Sequence, residues 1–470
     1  MSPQVPARHD DTKPLLRETA VNTHAVSRSL AVAALLLAAP APAAEYGPFE
    51  IVGFLKNEYS LCDNCSAGIV NPTAYDPRGV LSPPVPMVNQ GGDSEGTGRN
   101  LFLVDLSLGV SHEFDNAFKI EARTSGRMRN SDADIFDNWM TDLYAGVSHP
   151  TYGSLQVGKF RSRAWSRSDS FAYPLGLSSP WAESGAGYGL YPEAVRYATR
   201  EFEMPVGKIR FEGSYGQADT RYPLNRASLV EEPPDPWLYE VFVQFSNEKN
   251  LVELIYQSSE GGRQSSFSKG AFYGAQGNTN GFVSSPEYEE PSENVLILQG
   301  TYFMNERWRF TYGVKRSEWS GQAQQCDYGP VSPVLSVCFW DQAGFNYSDE
   351  IDAVYDATSW DFMLGGSYLR GLWTYTAGGV FLNKASTDNP VEWGQDNNAL
   401  FLNLGIYRQV PELSVGGLFK VEVYGGIGRI MFNRQGPAPL SMPSNIAFGG
   451  VDPRTSESGN TFTIGANLIF

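Results

Sequence analysis

What most limits the fold of this chain is a period of two that persists for ten residues and more at a time. In "NLFLVDLSLGVSHEF", Phe102, Val104, Leu106, Leu108 and Val110 share one face; Leu103, Asp105, Ser107, Gly109 and Ser111 share the other. After a turn at Asp115-Asn116, Phe118, Ile120, Ala122, Thr124 and Met128 oppose Lys119, Glu121, Arg123, Ser125, Arg127 and Arg129. Such alternation marks strands with one apolar and one polar face. Strands of soluble sandwiches usually run to about five or six residues. These have the length of tilted strands that cross a bilayer.

Sixteen strands can be traced, at 49–60, 100–114, 117–129, 140–150, 154–163, 193–202, 208–217, 236–247, 250–260, 294–304, 307–319, 359–370, 372–384, 398–409, 418–432 and 460–470. Short turns such as "FDNA", "HPTYGS", "NEKN" and "LRGL" alternate with long polar loops, and both ends of the barrel segment fall on the short-turn side. Lipid cannot satisfy an open sheet edge, so a spanning sheet must close. An even strand count, with short turns at one end and long loops at the other, is the pattern of bacterial outer-membrane barrels. The expected fold is all-β: a transmembrane antiparallel β-barrel of 16 strands, one domain over 45–470. Tyr59, Trp237, Tyr239, Trp308, Tyr312, Trp319, Trp373 and Tyr375 sit near strand ends, where interfacial girdles form. The final strand, "NTFTIGANLIF", ends on Phe470, an aromatic end of the kind that barrel-assembly machinery reads.

Residues 1–44 read as an N-terminal extension and signal peptide. "RSLAVAALLLAAPAPAA" has a basic flank, an apolar run too short to span, and an A-x-A site at Ala41-Pro42-Ala43. The 27 residues before Arg28 are long for such a leader, which a misassigned start codon would explain. The net charge of -17 argues against nucleic acid as a partner. In an oxidising compartment the four cysteines favour disulfides. Proximity pairs Cys62 with Cys65 and Cys326 with Cys338, though three pairings are open. A redox C-x-x-C would need a βαβ context that is absent, and a metal site would need the two pairs to meet. No metal or cofactor is expected.

"GSLQVGKF", Gly153 to Phe160, is one residue short of a P-loop, with Phe160 where the hydroxyl should be. Leu155 and Val157 alternate with Ser154 and Gln156, as a strand requires, and "RSRAWSRSDSF" carries no helix-forming pattern. The motif is therefore read as strand, with Lys159 a candidate channel charge.

A sixteen-stranded barrel is wide enough for an aqueous channel. The third long loop, Arg163 to Pro192, is Gly- and aromatic-rich and lightly charged, which suits packing against a wall. Arg123, Arg127 and Arg129, then Arg196 and Arg200, then Lys208 and Arg210 share faces on their strands. A lipid-facing Arg or Lys costs roughly 2–4 kcal/mol at mid-depth, so these are expected to face the lumen.

"YGSLQVGKF", "EAVRYATREFEMPVG", "IVG" at Ile51 to Gly53 and the terminal Phe together resemble the general diffusion porins of Gram-negative bacteria. The resemblance covers the whole mature chain in architecture and about forty residues in motif. It implies a homotrimer in outer-membrane lipid and lipopolysaccharide, passing small hydrophilic solutes and ions, with loop 3 folded into the channel. It further implies loop acids, here Asp169 and Glu183, facing a basic wall, in which Lys159 and Arg196 match by motif position and Arg123, Arg127, Arg129, Arg200 and Arg210 join by the shared faces above. Strict alternation puts Lys159 beside Leu155 and Val157, toward lipid, unless a bulge at Gly158 re-aims it. A basic constriction favours anions, whereas acidic outer loops such as Glu287, Glu289, Glu290 and Glu293 would gather cations, so the sign of selectivity stays open.

Three alternatives remain. A barrel enzyme would need a His-assisted nucleophile, but after residue 45 the only histidines are His112 and His149, both beside short turns. A substrate-specific channel with a ligand-binding stripe would have 16 or 18 strands, an extra hairpin hiding in 322–358. A soluble exported β-protein is the third.

Overall fold

The computed structural model describes residues 48–62, 97–129, 140–182, 190–217, 237–260, 292–322, 354–383, 386–387, 398–413, 419–432 and 458–470. Sixteen staves form one antiparallel sheet that closes on itself. They are β1 Phe49–Cys62, β2 Thr97–Glu113, β3 Lys119–Arg129, β4 Met140–His149, β5 Gly153–Arg161, β6 Leu190–Ala198, β7 Gly207–Gln217 and β8 Trp237–Ser246. The second half comprises β9 Asn250–Glu260, β10 Ser292–Phe303, β11 Trp308–Gln322, β12 Val354–Arg370, β13 Trp373–Leu382, β14 Ala399–Gln409, β15 Lys420–Phe432 and β16 Ser458–Ile469. Two short paired segments extend staves and add none. Phe202–Met204 continues β6 along β7, and Ser386–Thr387 continues β13 along β12. β1 pairs with β2 on one side and β16 on the other, from Phe54↔Ile469 to Cys62↔Thr461, which seals the ring.

The two faces differ as the alternation requires. Along β2 and β12, Phe102 (44%), Leu108 (44%), Phe362 (45%) and Leu364 (67%) are exposed, while Asp105, Ser107, Ser359 and Asp361 between them are buried. A soluble protein would bury the first set, so the inversion identifies a membrane-facing apolar band. Aromatics flank the band at both ends. Trp308, Tyr368, Trp373 and Tyr375 sit by the short turns; Tyr59, Tyr215, Trp237 and Tyr239 sit by the long loops. Tyr215 stacks on Trp237 at 5.2 Å, and Trp308 meets Tyr368 at 4.7 Å.

The strand-like "VYDATSW" is the far part of β12, continuous from Val354 to Arg370, and makes no additional hairpin among the described residues. One expectation is corrected. "RSRAWSRSDSF" does contain a helix, α1 Arg163–Phe171, followed by α2 Ser178–Ala182. Both pack on the face opposite the apolar band. There Ala164, Ala172, Leu175, Leu177 and Trp181 form one buried cluster with Phe242, Ile255, Ile297, Met363, Val380 and Phe401 from the wall. The main apolar core therefore lies between the β5–β6 connection and staves β8 to β15.

Candidate functional site

The site is built from β5 outward. Ser162 caps α1, its hydroxyl accepting from the Trp165 amide at 3.1 Å. The first turn holds no acid of its own, and a distant carboxylate supplies one. Glu240 on β8 accepts from the amides of Arg163 (2.7 Å) and Ala164 (2.9 Å). An anion at a helix N-terminus satisfies orphan donors and offsets the macrodipole. Arg163 then forks onto Glu212 of β7 at 2.6 and 3.0 Å. One turn on, Arg167 binds Glu253 of β9 through Nε at 2.8 Å and also through Nη2. Glu212 and Glu253 are buried. Removing one partner of such a pair costs about 3–5 kcal/mol.

Ala164 and Ser168 of the helix, with its C-cap Ala172, form a buried stripe at helical spacing. Beyond it, Trp181 donates its indole N–H to Gln299 Oε1 at 2.9 Å. The Trp181 carbonyl accepts from the buried Lys315 Nζ at 2.9 Å, and that ammonium lies 4.9 Å from the indole ring. Close approach is possible because β11, β12 and β13 carry glycine at the contacts. A Cβ on Gly313 would strike Trp181, one on Gly365 Leu175, and one on Gly378 Leu177.

The same face of β15, β16 and β1 to β5 carries charge instead. Arg127 binds Asp105 at 2.9 Å and reaches Asp169 of α1 at 3.4 Å, with its guanidinium 5.4 Å from the Trp165 ring. Arg161 pairs with Asp142 at 2.9 Å, Arg123 with Glu50 at 2.5 Å, and Lys56 with Glu58 at 2.7 Å. The tip of the connection reaches this wall. Tyr173 donates to Glu422 at 2.6 Å and accepts from Asn467 Nδ2 at 2.9 Å. Burial and the Glu422 carboxylate push the Tyr173 phenol well above its usual range, so it remains a donor at neutral pH. Tyr424 donates to Glu58 at 2.6 Å and stacks on Tyr407 at 5.4 Å.

The residues proposed for one basic wall lie in several places. Arg123, Arg127 and Asp169 join the charged wall just described. Arg129 ends β3 opposite Leu103, and Glu183 lies outside the described residues. Arg196 is buried near the start of α1, donating to Ser214 Oγ and the Arg161 carbonyl and lying 4.2 Å from the Phe160 ring. Arg200 sits in the interruption between Ala198 and Phe202, at the short-turn end. There it lines an open hollow of about 970 Å³ with Arg210, Lys119, Glu113, Glu201 and Glu203. Arg210 also pairs with Glu212 at 2.8 Å. Lys159 stands opposite Leu143, on the apolar-band face with Leu155 and Val157. The register shift between Gly158 and Phe160 puts its extra residue in β6, so β5 keeps its alternation. Phe470 bonds Gly53 through both backbone groups, at 2.8 and 3.0 Å. Cys62 ends β1, and Cys65, Cys326 and Cys338 lie outside the described residues.

Sequence reasoning missed Arg161, Arg163 and Arg167, the carboxylates Glu212, Glu240 and Glu253 that hold the helix, and the pair Tyr173–Glu422. Two signals were available: the four-residue spacing of Arg163 and Arg167, and three isolated glutamates on the less exposed face of β7, β8 and β9.

No protein-family description matches the sequence, and no curated protein matches it. Among solved structures, the anion-selective porin from Comamonas acidovorans superposes with a TM-score of 0.52 at 11% identity, over 90% of this chain and 99% of that one. The outer-membrane channel DcaP of Acinetobacter baumannii gives a TM-score of 0.49 at 8% identity, over 90% and 97%. OmpT of Vibrio cholerae gives 0.47 at 12% identity, over 90% and 97%. The fold is thus a closed sixteen-stave barrel of the porin kind.

Proposed function

We propose that this chain is an outer-membrane channel of the general porin type, through which small hydrophilic solutes and ions diffuse passively. In this reading the β5–β6 connection is folded inward as the constriction. The observation that carries it is the one-sided coverage of the second face. Where α1 and α2 pack, the wall side chains are sealed: Glu212 is 2% exposed and Glu253 0%. On the facing wall, Glu50 is 50% exposed, Arg123 30% and Lys56 28%. A plug would seal all round; a constriction leaves one charged wall wet. The leader exports the chain, the band sits in lipid, and the acidic outer loops meet lipopolysaccharide and its counter-ions. Assembly as a homotrimer follows from the resemblance alone.

The test is conductance of the purified protein in planar bilayers. A steady current linear in salt concentration is expected. Failure to conduct overturns the proposal. Saturable block by one class of solute replaces passive diffusion with the substrate-specific alternative.

A further inference from the structure

We infer that the passage left by the β5–β6 connection is a slit against β1 and β2, and that Tyr173 and Asp169 are the two posts that set the largest solute it admits. The inference rests on the channel reading above and concerns where that channel is narrowest.

The order in which the connection meets the wall locates the opening. α1 is held to β7, β8 and β9 through Glu212, Glu240 and Glu253. α2 is held to β10 and β11 through Gln299 and Lys315. Between the helices, Leu175 lies over Gly365 of β12 and Leu177 over Gly378 of β13. Gly176, at φ +74°, lies against the carboxamide of Asn403 on β14. Tyr173 completes the series. Its ring meets Tyr407 of β14 edge-on at 5.9 Å. Its hydroxyl donates to Glu422 of β15 at 2.6 Å and accepts from Asn467 of β16 at 2.9 Å. The contacts thus follow the wall from β7 to β16 with no stave omitted. They resume at β3, where Asp169 meets Arg127 at 3.4 Å and the Trp165 ring lies 5.4 Å from the same guanidinium. Among the described residues, no hydrogen bond, ion pair or ring contact joins the connection to β1 or β2.

The wall sets the dimensions of this gap. β16 and β3 are three strand spacings apart, which bounds the slit at about 14 Å along the wall before side chains are counted. The posts stand nearly level. Asn467 pairs in register with Lys56, and Lys56 with Leu103. Arg127 pairs with Asp105, two residues along the same strand as Leu103. Tyr173 is 44% exposed and Asp169 partly so, whereas Phe171 between them packs on the buried cluster. Asp169 and Tyr173 are four residues apart, so one short piece of chain is strung between β3 and β16 in front of β1 and β2. Neither post holds the barrel together: Arg127 keeps Asp105 at 2.9 Å without Asp169, and β15 keeps its ladder to β16 without Tyr173.

A small solute passes the slit as it stands. A larger one passes only while a post is off the wall, so its rate scales with the released fraction. Loss of a hydrogen bond to a charged group raises that fraction about tenfold. Loss of a partly exposed ion pair raises it about twofold to fivefold.

The experiment is swelling of liposomes containing the full-length protein in isotonic arabinose, sucrose and raffinose, three neutral probes of increasing size. Y173F removes both hydrogen bonds of the tip and keeps the ring; it should raise the raffinose rate about tenfold and leave the arabinose rate little changed. D169A should act in the same direction, by about twofold to fivefold. S170A is the control. The Ser170 hydroxyl bonds only the helix backbone, at Ser166 and Arg167, so this variant should match the parent. Each variant is checked first for heat-modifiable migration, which reports a folded barrel. An unchanged raffinose-to-arabinose ratio in folded Y173F or D169A overturns the two-post slit. So does a rise in all three rates by the same factor, or an S170A variant that reproduces Y173F. Parent liposomes that do not swell even in arabinose refute the channel reading itself, a distinct result.

Discussion

Replacing Trp181 by alanine should release the second half of the β5–β6 connection while leaving the barrel standing. Trp181 is fully buried among Leu175, Leu177 and the wall. Truncation of a large buried aromatic costs about 3–5 kcal/mol. Loss of the indole hydrogen bond to Gln299 falls within that sum, because Gln299 Oε1 keeps Ser168 Oγ at 3.4 Å. All of this energy belongs to the docking of α2; none of it lies in the ladders between staves. α1 keeps Glu212, Glu240 and Glu253. A docking loss of about 4 kcal/mol multiplies local opening by roughly a thousandfold, at tenfold per 1.4 kcal/mol. Hydrogen exchange in micelles reads this directly. Residues 172–182 should exchange far faster in W181A, and W181F, which keeps most of the apolar area, should fall between. The temperature of heat-modifiable migration should move little. Unchanged exchange at 172–182 refutes the packing argument. A collapse of the whole barrel with the loop refutes the claim that the two are separable.

Three further outcomes follow from the same geometry. R163A removes the fork onto Glu212, which still keeps Arg210 at 2.8 Å, and should cost about 1.5–3 kcal/mol of α1 docking, seen as faster exchange at residues 163–171. G158A puts a side chain at φ +136°, pressed on the Leu143 carbonyl, and should cost about 1–3 kcal/mol, read as a lower melting temperature of the folded band. Deleting Phe470 removes both backbone bonds to Gly53 and should reduce the assembled fraction in outer-membrane preparations. F470A, which keeps those bonds, should show the smaller loss if closure rather than the ring is what matters.

The barrel was legible because its physics is written locally. Period-two patterning and the alternation of short turns with long loops predict sixteen staves, and most ends agree within a few residues. The far part of β12 is the largest miss: its strand begins at Val354 where the pattern predicts 359. The helix α1 was not legible, because its stability comes from elsewhere. A nine-residue helix with three serines has weak intrinsic helicity; what holds it are carboxylates on β7, β8 and β9, between 49 and 86 residues away in sequence. The residues expected in one basic wall are dispersed for a related reason. Alternation reports which face a side chain takes, and it says nothing of what lies against that face. Arg196 and Arg127 share the second face, yet one is buried by the start of α1 and the other meets Asp169.

The pairing of β1 with β16 has a consequence for the order of events in making this protein. The first stave finds its second neighbour only in the last segment of the chain, roughly four hundred residues later. Until that segment arrives, two edges of unpaired amides and carbonyls stand open, and such edges recruit other strands. Contacts this distant in sequence are also the slowest to form. The polypeptide must therefore be complete, and must be escorted with its edges guarded, before the ring can shut; truncation near the C-terminus should leave a curled sheet with no way to finish.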